Sequence, residues 1–166
     1  TADDSGMLGT GMNSVTLQDS LEQLGLETRT LSGIDIPKIA EPYIRRRAIR
    51  HLEKGRIVII AGGTGNPFFS TDSAAALRSV ELDCSLLVKA TKVDGVYDSD
   101  PVKNPEAKKY ANISFAEVLE KELAIMDLTA ITLCKENKMP ILVLDITKEG
   151  NLYNALSEEG IGTTIN

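Results

Sequence analysis

The sequence predicts an α/β fold, a three-layer sandwich around a mainly parallel central sheet. Three observations carry this reading. Short apolar runs alternate with stretches of helical periodicity through all 166 residues. The runs at 57–60, 85–90 and 139–144 are continuous rather than alternating, as in strands covered on both faces. Two of these runs lead into loops rich in Gly, Asp, Ser and Thr, at the carboxyl ends of strands, where open α/β sheets bind ligands.

The elements follow in order. Residues 5–24 carry Met7, Leu8, Met12, Val15, Leu17, Leu21 and Leu24, mostly at helical spacing, and Gly25 is placed to end that helix. Residues 27–31 form a short strand that stops at Ser32-Gly33, and residues 37–41 connect. Residues 42–55 read as a helix with Pro42 near its start and Gly55 at its end. Ile44, Ala48 and Leu52 mark its inner stripe. His51, the sole histidine, falls on the last turn and is expected at the surface. Arg45, Arg46 and Arg47 are the basic run: a solvated helix face, or a contact to phosphate or to a neighbouring subunit. Residues 56–60 are a buried strand, 71–82 a helix and 85–90 a second buried strand. Residues 103–111 are polar and read as a surface loop. Ser114 and Glu117 form a capping box for a helix through Lys121. Residues 127–137 are a helix with Leu128, Ile131 and Cys134 inward. Residues 139–144 are a strand with Pro140 at its beginning, where it costs least. A short helix at 151–157 and an edge strand at 162–165 complete a single domain over 1–166.

Composition excludes several function classes. A net charge of -6 and a pI near 4.9 argue against non-specific binding to nucleic acid or to a membrane surface. Trp is absent and aromatics make up 4%, so a base-stacking platform is not expected. No apolar run approaches the length of a membrane span. Cys84 and Cys134 show no metal spacing, and each lies in an apolar segment, so buried free thiols in a reducing, cytoplasmic setting are expected.

The densest chemistry lies in Ala61-Gly62-Gly63-Thr64-Gly65-Asn66-Pro67-Phe68-Phe69-Ser70-Thr71-Asp72. Glycines in a strand-to-helix turn let backbone approach an anion, and the helix beyond presents free N–H groups. Ser70 and Thr71 are the cap candidates, and Asp72 puts a carboxylate at the mouth. The stretch lacks the Gly-Lys-Ser/Thr of a Walker loop and the third glycine of a dinucleotide fingerprint. A plain tight turn is the competing reading, and the crowd of hydrogen-bonding side chains argues against it. A second loop, Thr91-Lys92-Val93-Asp94-Gly95-Val96-Tyr97-Asp98-Ser99-Asp100, is not a calcium loop, because Pro101 stands where the turn glycine belongs. Both loops are expected on one sheet edge with a ligand bridging them. The residues alone reach a small phosphorylated ligand, a nucleotide, and stop there.

Several motifs extend further. Residues 62–72, Lys89-Ala90-Thr91-Lys92-Val93-Asp94-Gly95-Val96-Tyr97 with Asp100-Pro101, Val118-Leu119-Glu120-Lys121-Glu122-Leu123 and Met126-Asp127-Leu128-Thr129-Ala130 closely resemble the bacterial-type uridylate (UMP) kinase family of the amino-acid kinase superfamily. Tyr43-Ile44-Arg45-Arg46-Arg47-Ala48 and Asp3 with Gly6-Met7-Leu8 are similar to the same family. The resemblance implies transfer of the ATP γ-phosphoryl to UMP, with Mg²⁺. It implies UMP contacts from Asp3 and from Thr64, Gly65, Asn66, Pro67, Phe68, Phe69, Ser70 and Thr71. It implies ATP contacts from Thr91, Tyr97 and Asp100, and catalytic carboxylates at Asp72 and Asp127. A homohexamer, activation by GTP and inhibition by UTP are implied as well. The family's Lys-x-Ser-Gly strand and Gly-Gly-Gly-Asn loop have no match in the sequence, so the chain is expected to correspond to the C-terminal two-thirds of that domain. Two other readings stand beside it: another kinase of the superfamily, acting on an amino acid or small acid, and a non-catalytic nucleotide-binding module.

Overall fold

In a computed structural model the described residues are 2–157 and 160–166. They form two compact units, Thr1–Leu82 and Asp83–Asn166. Each is α/β.

The first unit contains α1 (Ala2–Gln23), β1 (Thr28–Ser32), β2 (Glu41–Pro42), α2 (Arg45–Glu53), β3 (Ile57–Ala61) and α3 (Thr71–Glu81). Its sheet runs β2-β1-β3, all parallel, with Thr28 opposite Ile57 and Ser32 opposite Ala61. Helix α1 ends as its glycine predicts. Gly25 takes φ +81, its N–H donates to the Glu22 carbonyl at 2.9 Å, and Leu26 N–H donates to the Leu21 carbonyl at 3.1 Å. The face of α1 laid on β1 and β3 differs from the apolar stripe. Gly11 and Ser14 are buried, whereas Leu8, Met12, Val15 and Leu17 are exposed. Small residues allow the close approach: a Cβ on Gly11 would sit 3.4 Å from Ile36 Cδ1.

Three expectations in this unit are corrected. Pro42 belongs to β2, and α2 starts only after Ile44, its N-cap. Ile44 and Leu52 are exposed, so the inner face of α2 is Ala48 and His51. His51 is therefore buried, not at the surface, with Nε2 3.2 Å from the Glu41 carboxylate and Nδ1 3.1 Å from Arg56.

The second unit contains β4 (Leu87–Thr91), β5 (Val96–Tyr97), β6 (Lys109–Tyr110), β7 (Asn112–Ile113), α4 (Phe115–Glu120), α5 (Leu128–Glu136), β8 (Ile141–Asp145), α6 (Asn151–Ala155) and β9 (Thr163–Ile165). Its larger sheet runs β4-β8-β9-β7, with β4–β8 and β7–β9 parallel and β8–β9 antiparallel. All five residues of β8 are buried, as its unbroken apolar run requires. The capping box at Ser114 and Glu117 forms as predicted.

Here too the structure departs from the sequence reading. β9 lies between β8 and β7 rather than at an edge. The stretch 103–111 ends in β6, which pairs with β5 as a small antiparallel ribbon. In α5, Ala130, Ile131 and Cys134 face inward and Leu128 is exposed. Cys134 is buried, and burial pushes its thiol up to about 11, but Cys84 is exposed. β3 and β4, whose loops were expected on one sheet edge, belong to separate sheets.

Candidate functional site

In the first unit the glycine loop leaves β3 and is held from three directions. From α1, the Thr10 hydroxyl accepts the Gly62 N–H at 2.9 Å while donating to the Met7 carbonyl at 2.7 Å. Asp3, in the first turn of the same helix, accepts the Phe68 N–H on Oδ2 at 2.9 Å. From the end of β1, Gly33 packs its backbone against the loop. A Cβ there would lie 3.0 Å from the Gly63 carbonyl oxygen and the Gly65 nitrogen. From α3, Arg78 donates to the Gly63 carbonyl at 3.2 Å. Asp3 and the loop, sixty-odd residues apart in the chain, are thus brought together.

Inside the loop the side chains first serve the turn. Gly65 N–H closes on the Gly62 carbonyl at 2.9 Å. Thr64 Oγ1 accepts the Asn66 N–H at 3.1 Å, and Asn66 Nδ2 donates to the Thr64 carbonyl at 3.4 Å. Gly62, Gly63 and Gly65 take φ of +71, +57 and +81. Phe68, just after Pro67, takes φ +68, a conformation that a side-chain-bearing residue adopts at a cost of about 1–3 kcal/mol. Phe68 is 96% exposed and Phe69 56%. Two aromatic rings therefore stand in solvent beside a backbone cradle. Ser70, rather than Thr71, is the cap of α3: its Oγ accepts the Ser73 N–H at 3.0 Å. Thr71 opens the helix and Asp72 lies in its first turn.

The second unit places Thr91, Tyr97 and Asp100 around one cavity of about 540 Å³, with Lys89, Glu122 and Ile125 also in its wall. Thr91 ends β4, Tyr97 sits in β5, and Asp100 lies in the turn beyond. The Thr163 hydroxyl pins this loop by accepting the Val96 N–H at 2.9 Å. Tyr97 Oη donates to Asp94 Oδ1 at 2.8 Å, which pushes the phenol up and holds the Asp94 carboxyl below its usual range. Asp94 also faces Lys109 Nζ at 3.7 Å. Asp100 Oδ1 accepts the Val102 N–H at 2.9 Å, and its Oδ2 is 3.7 Å from Lys103 Nζ. Asp127 caps α5, with Oδ1 accepting the Ala130 N–H at 2.9 Å. Asp72 and Asp127 fall in different units, each at a helix start. Among the described residues no group of three or more His, Cys, Asp or Glu is arranged to cage a metal.

Sequence reasoning missed several residues that build these two places. Thr10, Gly33 and Arg78 carry no motif of their own, and only the parallel register of β1 and β3 puts Gly33 beside Gly62. Asp145 is different. It ends the buried strand β8 opposite Thr91, its carboxylate accepting from the Thr147 N–H at 2.9 Å and the Thr147 hydroxyl at 2.6 Å. An aspartate closing an apolar run was a visible signal. So was Lys89, a cation within the strand that walls the cavity.

Comparison with known proteins supplies the wider frame. A sequence model of the Amino acid kinase family matches residues 1–145. The UMP kinase from Ureaplasma parvum superposes with a TM-score of 0.96 at 37% identity, covering 99% of this chain and 71% of that one. The UMP kinase from Bacillus anthracis gives 0.97 at 36% identity, covering 99% and 68%. The uridylate kinase from Archaeoglobus fulgidus gives 0.61 at 30% identity, covering 75% and 59%. No helix among the described residues is long and apolar enough to cross a membrane.

Proposed function

Because the chain belongs to the amino acid kinase family, we propose that it is a nucleoside monophosphate kinase whose reaction moves the γ-phosphoryl of ATP to UMP. An oxygen of the UMP phosphate attacks the γ-phosphorus, the bond to the ADP oxygen breaks, and UDP and ADP leave. The protein's task in such a transfer is positioning and charge neutralisation. The observation that carries the reading is the clasped loop at 62–71. Its Phe68 N–H is held by the Asp3 carboxylate, and it ends at a capped helix whose N-terminus suits an anion. Likeness to two bacterial UMP kinases over 99% of the chain supports the choice of acceptor.

The cavity of the second unit is the proposed ATP side. Thr91 and Asp100 offer polar contacts there, and the Tyr97 ring offers a face for the adenine. Asp72 and Asp127 are the proposed carboxylates of the transfer. Mg²⁺ on a nucleotide uses one or two carboxylates beside phosphate oxygens, so the absence of a three-carboxylate cage among the described residues is compatible with it. That ion supplies charge neutralisation on the phosphates. Regulation by GTP and UTP, a homohexamer and a role in pyrimidine nucleotide synthesis belong to the same proposal and rest on the family likeness.

The test is UDP formation from ATP with UMP, against CMP and a panel of acylamino acids and carbamate. UMP should be preferred strongly over CMP, because paired polar groups reject a base with donor and acceptor reversed. Turnover of an amino acid or carbamate in place of UMP would move the chain to another branch of the family, and comparable use of CMP would remove the base assignment.

A further inference from the structure

Arg78 projects from α3 into a closed polar network under the glycine loop. One guanidinium nitrogen donates to Glu81 Oε2 at 2.8 Å and the other to the Gly63 carbonyl at 3.2 Å. Its Cζ lies 3.8 Å from the centroid of the Tyr43 ring, a cation–π stack. Tyr43 Oη closes the set by donating to the same Glu81 oxygen at 2.7 Å, and Arg45 donates to the Glu81 carbonyl. Tyr43 is tied in turn to the end of β1 through its N–H and the Ser32 carbonyl, at 2.8 Å. The group is largely withdrawn from water: the Arg78 side chain is 13% exposed, and its Nε is buried without a partner. Burial alone would raise Glu81, yet its bonds from Tyr43 and Arg78 hold it below the usual carboxylate range. Burial, with Glu81 beside it, pushes the Tyr43 phenol up to about 12.

The far end of this guanidinium grips the loop itself. The Gly63–Thr64 peptide is trans and planar, so its C=O and N–H point in opposite directions. Fixing the Gly63 carbonyl inward on Arg78 turns the Thr64 N–H outward, toward the open side of the loop. Rotating that peptide changes ψ at Gly63, which has no side chain to resist it, and φ at Thr64, which does resist it, so Arg78 adds a second restraint to an orientation the Gly62–Gly65 turn already favours.

We propose that Arg78, clamped by Glu81 and Tyr43, is a positioning residue that sets the Gly63–Thr64 peptide and so presents the Thr64 N–H to the acceptor phosphate. The choice of acceptor phosphate rests on the functional reading above; the orienting role does not. A planar fork can bond Glu81 and Gly63 at once while stacking on a ring, which a lysine ammonium cannot. Arg78→Lys keeps the charge and loses the fork.

Two measurements on the purified chain separate the claims. Amide hydrogen exchange without ligand reads the loop: the hydrogen-bonded Gly65 and Asn66 amides should exchange about tenfold faster in Arg78→Lys, a loss of protection that the rest of α3 does not share. Titration with UMP and with ATP reads the site: the UMP dissociation constant should rise about tenfold and that of ATP should stay put. Unchanged loop exchange in a folded variant overturns the positioning role, whatever is bound. Faster loop exchange in a protein that binds no UMP, wild type included, keeps the positioning role and removes the acceptor. A matched loss of UMP and ATP binding marks a general weakening and also overturns it. Should Arg78→Lys not fold, Tyr43→Phe removes only the phenol's bond to Glu81 and keeps the ring. Its loop exchange should rise by a smaller factor, about threefold, and no rise overturns the proposal.

Discussion

The loop after β3 and the cavity beside β4 both sit at the carboxyl end of a parallel strand, yet they are built by opposite means. The first is backbone. Its glycines hold left-handed turns, its peptide groups are gripped by Thr10, Asp3 and Arg78, and Thr64 and Asn66 spend their side chains on the turn itself. The second is side chain. Tyr97, Asp94 and Lys109 form a chain of contacts over a wall of Lys89, Thr91 and Ile125, and the loop needs one hydroxyl, that of Thr163, to pin it. A phosphate dianion is met well by fixed N–H dipoles, which cost no reorganisation. A nucleoside with a flat face is met by shape and a few polar atoms. The contrast predicts that substitutions should act through geometry in the first place and through single contacts in the second.

The largest effect is expected at Asp72. Ser70 already caps α3, and a first-turn carboxylate at Asp72 adds a helix-dipole contribution of roughly 0.3–1 kcal/mol. Asp72→Asn should leave the melting temperature nearly unchanged and lower kcat on the order of a hundredfold or more, the scale for one preorganised charge. Steady-state kinetics and a thermal melt decide it, and a normal kcat with a lowered melt would return Asp72 to the helix.

Gly65→Ala comes next. A Cβ at Gly65 would overlap the Gly33 carbonyl oxygen and force φ +81 on alanine. A backbone neighbour cannot swing away, so the loop must shift. Strain of about 1–3 kcal/mol translates into UMP binding weakened by about tenfold to a hundredfold, with ATP binding spared. Calorimetric titration of both nucleotides would break the contrast if ATP suffered equally.

Asp100→Asn is a single-contact test. The amide oxygen still accepts the Val102 N–H, so the turn survives and only the charge goes. The ATP KM should rise by up to about tenfold, one charge-assisted hydrogen bond's worth, with the UMP KM less affected. The reverse ranking would interchange the two loops.

The smallest effect concerns pH. The Thr147 hydroxyl and N–H hold the Asp145 carboxyl below its usual range. A depressed carboxyl contributes stability that is present above its unfolded value, near 4, and is lost as pH falls through the folded one. Thr147→Val should therefore melt lower than wild type at neutral pH, and the two curves should converge in acid. A difference that persists at low pH would assign the effect to packing instead.

Reading the sequence found what local chemistry encodes. The capping box at Ser114 needs only Glu117 three residues on, and the stop at Gly25 needs only a residue free to take positive φ. Other helix ends gave no such sign. Glu122 and Lys138 close their helices in the same left-handed conformation, with φ of +50 and +53, without being glycine. Leu123 N–H then reaches the Val118 carbonyl at 3.1 Å, and Met139 N–H reaches that of Cys134 at 2.9 Å. Their neighbours impose that geometry, so no residue type announces it.

The sequence by itself determined the alternation of strands and helices, the glycine loop and its helix, and the continuous apolar run that had to become the buried strand β8. These rest on periodicity and on backbone freedom, which act over a few residues. Tertiary structure alone decided which helix faces turn inward: Gly11 and Ser14 rather than Met12 and Val15, and His51 rather than Ile44 and Leu52. It also decided that β9 lies inside its sheet, and that Thr10, Gly33 and Arg78 converge on one loop. Burial and register are set by partners distant along the chain, and a pattern read a few residues at a time carries no information about which partner arrives.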